Sequence, residues 1–179
     1  SLFFSMQVDG EKILVTGASR GIGLALAKRF ARAGAHVLIG VRDDTTTDAT
    51  SALSAVQAQA TSGREIRLFK VDLGSKECVA DAVTRLDGEG IEILVNNAGL
   101  LTGGRVESQP VDDVYAMFQV NLLGLVQLTQ GLLPGMIRRG RGKIVNNASV
   151  SGVMNFPLAS TYSAAKSGVA QASSRFGWA

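Results

Sequence analysis

Apolar residues alternate between two periods along this chain. Apolar runs of strand length fall at residues 13–15, 36–41, 66–71, 91–95 and 144–145. Between them apolar positions recur at helical spacing. Leu24, Ala27, Phe30 and Ala31 form one face, ended by Gly34; Val79, Ala82, Val83 and Leu86 form another, with Ser75 placed to cap it. Residues 52–60 read as a weaker helix, because the preceding Thr45, Thr46 and Thr47 are poor helix formers. Val111, Val114, Phe118, Leu122, Leu125 and Thr129 carry a long one. Continuous apolar strands alternating with helices predict a parallel sheet covered on both faces, an α/β doubly wound fold. No repeat or linker divides residues 1–179, so one domain is expected.

Composition narrows the function classes. With 46% hydrophobic and 18% charged residues the chain is that of a soluble globular protein. Net charge is +3, and the one basic cluster, Arg138, Arg139, Arg141 and Lys143, reads as a solvated loop, so no nucleic-acid partner is expected. One cysteine, Cys78, leaves no intrachain disulfide and fits a reducing, cytoplasmic setting. One His and one Cys are too few for a zinc site or a His-based triad, and no metal is expected. No apolar run has the length of a bilayer span, so no membrane partner is expected. Residues 1–4 are too short for a signal peptide, and Met6 reads as the more natural start.

Candidate chemistry begins where the first strand runs into Gly17-Ala18-Ser19-Arg20-Gly21-Ile22-Gly23, followed by good helix formers. The first-turn N–H groups of a helix lack internal partners and the macrodipole adds positive character, so this turn is suited to phosphate. Its glycines permit unusual backbone angles and close approach of a pyrophosphate. The spacing G-x-x-x-G-x-G differs from the standard G-x-G-x-x-G. Two strands end in asparagines, at Asn96-Asn97-Ala98-Gly99 and Asn146-Asn147-Ala148-Ser149, on the edge of the sheet where ligands bind. These amides could contact a ligand or simply tie neighbouring loops. Asn121 falls on the apolar stripe of its helix, where a polar group needs its hydrogen bonds met. Tyr162 and Lys166 stand at i, i+4 and share a helix face. A nearby cation favours phenolate, and such a phenol can exchange a proton with a carbonyl or alcohol oxygen.

Taken in order, Thr16-Gly17-x-x-x-Gly21-x-Gly23, Asn96-Asn97-Ala98-Gly99, Asn121, Ser149 and Tyr162-x-x-x-Lys166 resemble the short-chain dehydrogenase/reductase family, from Lys12 onward. The resemblance implies a Rossmann-type fold, a nicotinamide dinucleotide and ketone/secondary-alcohol redox chemistry. It implies Tyr162 as general acid/base and Lys166 as its activator and holder of the nicotinamide ribose. It further implies Ser149 as orienter of the substrate oxygen, and Asn121 as holder of a water relaying protons from Lys166. Gly17, Ser19, Arg20, Gly21, Ile22 and Gly23 would bind the cofactor, with Asn97, Ala98 and Gly99, and with Asp72 and Leu73 at the adenine. NAD-preferring members resemble one another in an acidic residue at the end of the second strand. Here Val41 and Arg42 stand there, and a guanidinium suits a 2′-phosphate, so NADP(H) is expected over NAD(H), with Arg20 as a second cation.

Asn147 departs from the family pattern, which has an aliphatic residue there. The larger departure follows Lys166: the chain closes on Ser173-Ser174-Arg175-Phe176-Gly177-Trp178-Ala179, without the family's later strands and substrate-covering helix. The sheet is thus expected to be incomplete at the C-terminus, with the fifth strand as an open edge. The expected function is an NADP(H)-dependent oxidoreductase acting on a small carbonyl or alcohol, a homo-oligomer when full length. The alternative is a catalytically inert nucleotide-binding or subunit-interaction fragment of such an enzyme.

Overall fold

The computed structural model describes residues 8–154 and 156–173. The expectations placed on residues 1–7 and on the closing run 174–179 lie outside these. Five parallel strands, β1 (Lys12–Thr16), β2 (His36–Val41), β3 (Ile66–Lys70), β4 (Ile93–Asn96) and β5 (Lys143–Asn146), form one sheet in the order β3-β2-β1-β4-β5. Helices α1 (Gly21–Arg32), α2 (Thr47–Gln57), α3 (Lys76–Leu86), α4 (Val111–Phe118), α5 (Gly124–Arg138) and α6 (Ser160–Ser173) accompany them. The expected α/β doubly wound, Rossmann-type arrangement is present, with β5 at a sheet edge among the described residues.

The pleat explains the layers. Ile13 and Val15 of β1 point to one face, with Ala27 and Ala31 of α1 and Ala49 and Val56 of α2. Leu14 points to the other, with Val79, Ala82 and Leu86 of α3 and Leu128, Leu132 and Met136 of α5. Burial on both faces is why β1, β2 and β4 read as apolar runs, whereas the flanking β3 and β5 keep exposed positions. In register, Val15 lies beside Ile39 on β2 and Val95 on β4. The chain therefore leaves β1 in opposite directions across the sheet, and the crevice between β1 and β4 opens at their carboxyl ends.

Three expectations are refined. Helix α2 starts earlier, at Thr47, because the Thr46 hydroxyl caps it by accepting from Ala49 N at 3.2 Å. The threonines act as cap and first turn where propensity alone had excluded them. The basic cluster is solvent-exposed as expected, but it spans the end of α5 and the start of β5, and Arg139 donates to Ile91 O at 2.6 Å while Arg141 pairs with Glu92. The expectation that no apolar stretch reaches bilayer length also needs correction. Val111–Arg138 is a 28-residue helical run containing an 18-residue window of mean hydropathy 1.3, long and apolar enough by length and composition. Leu128, Leu132 and Met136 spend that apolar character on the sheet, as a core helix does.

Candidate active site

The glycine turn sits at the mouth of the crevice. Gly17 and Gly21 have φ of 65° and 56°, the left-handed region open to glycine. Helix α1 starts without a side-chain cap from Arg20 and without an acidic residue in its first turn. Its leading N–H groups thus face the crevice with no anionic side chain of their own, which suits a phosphate. Gly23 is required for packing: a Cβ there would lie 2.4 Å from Gly17 O and 2.5 Å from Asn97 Nδ2.

Polar groups at the strand ends lock this turn to the rest of the crevice. The Thr16 hydroxyl accepts from Asn97 N at 3.0 Å and Ala98 N at 3.1 Å, and donates to Val95 O at 3.3 Å. Asn97 Nδ2 donates to Thr16 O at 3.0 Å and Gly17 O at 3.2 Å. Its side chain therefore ties loops, one of the two uses open from sequence. Asn96 is buried and donates to Thr129 Oγ1 and Asn146 Oδ1, at 3.1 and 2.8 Å.

Asn121 lies fully buried in a five-residue π-helical turn, Gln119–Leu123, between α4 and α5. Its Nδ2 donates to Leu100 O at 2.6 Å and Met117 O at 2.9 Å, and its Oδ1 accepts from Leu100 N at 3.2 Å. Both amide protons are used, so any water held by this side chain must donate to the remaining lone pair of Oδ1. Asn121→Ala strands the Leu100 and Met117 groups, and its unfolding free energy in urea should fall by about 1–3 kcal/mol.

Tyr162 and Lys166 are presented by the first turns of α6. Lys166 is 4% exposed, and its Nζ donates to Asn147 O at 3.0 Å, 6.0 Å from the centre of the Tyr162 ring. Burial pushes the Lys166 amine below its ordinary value. Across the interval from that lowered value up to about 10.4 the unfolded chain binds the proton more tightly, so stability rises with pH there. Below the interval the buried ammonium destabilises the fold. Lys166→Met should therefore be more stable than the parent near neutral pH, with the gap closing as pH rises through the interval, as urea titrations at several pH values will show. Ser149 precedes a short 3₁₀ turn, Val150–Gly152, and its hydroxyl accepts from Ser151 N at 3.2 Å. Leu158, with φ of 63°, accepts from Gly104 N at 3.0 Å and draws the loop after β4 against the entry to α6.

These groups meet in a cleft of about 740 Å³. Gly17, Ser19, Arg20, Ile22, Arg42, Asp72, Leu73, Asn97, Ala98, Gly99, Ser149, Tyr162 and Lys166 line it, whereas Gly21 and Gly23 shape the turn and Asn121 stands behind the wall. Asp72 Oδ1 accepts from Gly74 N at 2.8 Å. Asp43, beside Arg42, is turned onto Thr45: its carboxylate accepts from the Thr45 hydroxyl at 2.7 Å and Thr45 N at 2.9 Å. Those two bonds, the hydroxyl first, hold the Asp43 carboxyl below the ordinary range.

A sequence model of the short chain dehydrogenase family matches residues 11–177. The chain belongs to that family. One similar protein, the 3-oxoacyl-(acyl-carrier-protein) reductase FabG of Vibrio cholerae, is 34% identical over 164 residues, 92% of this chain and 65% of that protein. Among solved structures, a gluconate 5-dehydrogenase from Burkholderia cenocepacia in complex with NADP and tartrate superposes with TM-score 0.82 at 32% identity, covering 93% of this chain and 64% of that one. An NAD+-bound xylitol dehydrogenase superposes with TM-score 0.83 at 29% identity, covering 93% of this chain and 63% of that one. The family thus includes both NADP- and NAD-bound members. This chain spans less than two thirds of the length of each.

Sequence reading passed over Thr16 and Asn147 as site residues. A hydroxyl at the carboxyl end of the first strand was the available signal for Thr16. For Asn147 it was a polar residue in an aliphatic position.

Proposed function

We propose that this protein is an NADP(H)-dependent oxidoreductase that interconverts a ketone and a secondary alcohol, with Tyr162 as general acid/base. The observation that carries the reading is the convergence of Tyr162, Lys166 and Ser149 with the glycine turn on one cleft. When bound, the reduced nicotinamide supplies the hydride that reaches the carbonyl carbon. In that direction the Ser149 hydroxyl donates to the carbonyl oxygen and orients it. Tyr162 transfers its phenol proton to that oxygen, so that a ketone leaves as an alcohol. The Lys166 ammonium stabilises the phenolate left behind. It also reaches the ribose hydroxyls, while Asn121 supports the loop at Leu100 and a relay water.

The proposed preference for NADP(H) rests on Arg42 at the cleft and on Asp43 being occupied by Thr45. A guanidinium there donates to the 2′-phosphate, with Arg20 adding positive charge. Arg42→Asp should shift preference toward NADH, weakening NADPH by roughly 1.5–3 kcal/mol, about one to two powers of ten in dissociation constant. Titrating both cofactors into parent and variant checks it; an unchanged ratio of the two constants removes Arg42 as selector.

A small carbonyl or alcohol substrate, a cytoplasmic setting consistent with the single thiol Cys78, and association of like copies complete the proposal. Exposed Val111, Tyr115 and Leu123 on the helical run 111–138 support association. The deciding experiment follows NADPH binding by fluorescence and NADPH oxidation with a panel of ketones. Turnover supports the enzyme. Binding without turnover supports an inert nucleotide-binding fragment instead.

A further inference from the structure

Lys166 and the glycine turn both line the cleft, and two asparagines join them. Asn147, just past β5, is held at three points. Its N–H donates to Asn96 O at 2.9 Å, its carbonyl accepts Lys166 Nζ at 3.0 Å, and its Nδ2 donates to Asn97 Oδ1 at 3.0 Å. Asn97 then passes the connection on, because its own Nδ2 donates to Thr16 O and Gly17 O. The result is a continuous chain: Lys166, Asn147, Asn97, Gly17.

Each amide in this chain is oriented by its neighbours. An Asn amide has one accepting and one donating end, and Asn97 uses its donating end on the turn. Only a donor can then satisfy Asn97 Oδ1, and Asn147 is the residue that supplies one. An aliphatic side chain at position 147 would leave that oxygen without this partner and free the Asn97 amide to rotate away from Gly17 O. The turn has little slack for such movement, since Gly23 Cα packs so closely that a Cβ would meet both Gly17 O and Asn97 Nδ2 within 2.5 Å. At the other end, Lys166 is buried and its ammonium rests on the Asn147 carbonyl. Shifting residue 147 moves the acceptor on which that amine depends.

We infer that Asn147 is a positioning residue that sets the spacing between the Lys166 ammonium and the phosphate-binding turn by bonding to both, directly to the first and through Asn97 to the second. Part of its consequence, the effect on dinucleotide affinity, rests on the function proposed above; the link itself does not.

The test uses Asn147→Val, Asn97→Ala and the double variant in the full 179-residue chain. Amide hydrogen exchange without cofactor is read on peptides covering the glycine turn, the start of α6 and, as a control, β2. Asn147→Val should speed exchange severalfold at the turn and at α6 while β2 keeps the parent rate. NADPH affinity should weaken about two- to tenfold, the range for one neutral hydrogen bond. Because both changes act through the same bond, the double variant should bind NADPH no worse than Asn97→Ala alone. Unchanged exchange at both ends overturns the inference, as does uniform acceleration that includes β2, which would mark Asn147 as general packing. Additive losses in the double variant would overturn the route through Asn97. If the parent binds neither dinucleotide, the cofactor reading fails, and the exchange pattern still decides the link.

Discussion

Tyr162→Phe is expected to remove turnover by about 10²–10⁴-fold, the range contributed by a positioned general acid/base. The substitution deletes one phenol oxygen and keeps the ring, which lies at the edge of cation–π range from Lys166 Nζ, 6.0 Å from its centre. The glycine turn, Arg42 and Asp72 lie elsewhere along the cleft and are untouched. NADPH affinity should therefore stay within a factor of about two, less than the loss of a single net hydrogen bond usually brings. The measurement is steady-state NADPH oxidation with any ketone the parent accepts, alongside a fluorescence titration of the cofactor. A variant retaining more than about a tenth of the parent rate would remove Tyr162 from the proton-transfer role. Loss of binding together with turnover would point to a fold defect instead.

Gly23→Ala is the second large effect, and it acts on binding. The added methyl would overlap backbone at Gly17 O and the amide at Asn97 Nδ2, at 2.4 and 2.5 Å. Neither neighbour can step aside cheaply. Gly17 is in the left-handed region and is backed by Ala98, whose Cα would stand 2.7 Å from a Cβ on Gly17. Asn97 is bonded at both ends of its amide. Overpacking of this kind costs about 1–3 kcal/mol of stability. The shape of the turn suffers more, because the first-turn N–H groups must converge on one anion. NADPH affinity should fall at least about tenfold, equal to about 1.4 kcal/mol, with a lower urea midpoint. Affinity and midpoint equal to the parent's would mean that the turn relaxes freely and that Gly23 is not needed for close approach.

The parts of this molecule that were legible in sequence are those governed by near neighbours. Ser75 was placed as a cap from its position before an amphipathic run, and it accepts from Cys78 N at 3.1 Å. Asn121 stood out as a polar residue on an apolar stripe, which required it to be satisfied or used. The helix around it gave no hint of the π-helical turn, because a bulge arises from competition between backbone partners and not from residue type. Thr45, Thr46 and Thr47 misled for the opposite reason. Propensity ranks threonine low inside a helix, but at the N-cap its hydroxyl replaces a missing backbone partner. The partners of the basic run 138–143 were not legible, because Ile91 and Glu92 lie nearly fifty residues earlier and meet it only after β4 and β5 pair.

The sequence by itself determined the alternation of strand and helix, the parallel sheet with two covered faces, the glycine turn and the presence of Tyr162 and Lys166 on one helical face. Each follows from periodicity or from the steric freedom of single residues, properties carried over a few positions of chain. The tertiary structure decided what the polar groups of the crevice bind. Asn97 lines the cleft, and the order β1-β4-β5 sets its amide between Gly17 and Asn147, residues eighty earlier and fifty later. A hydrogen bond needs its atoms within about 3 Å and aligned, whereas periodicity specifies only which face a side chain occupies. That last ångström is set by strand order and register. It decides which partners an asparagine at the crevice bonds.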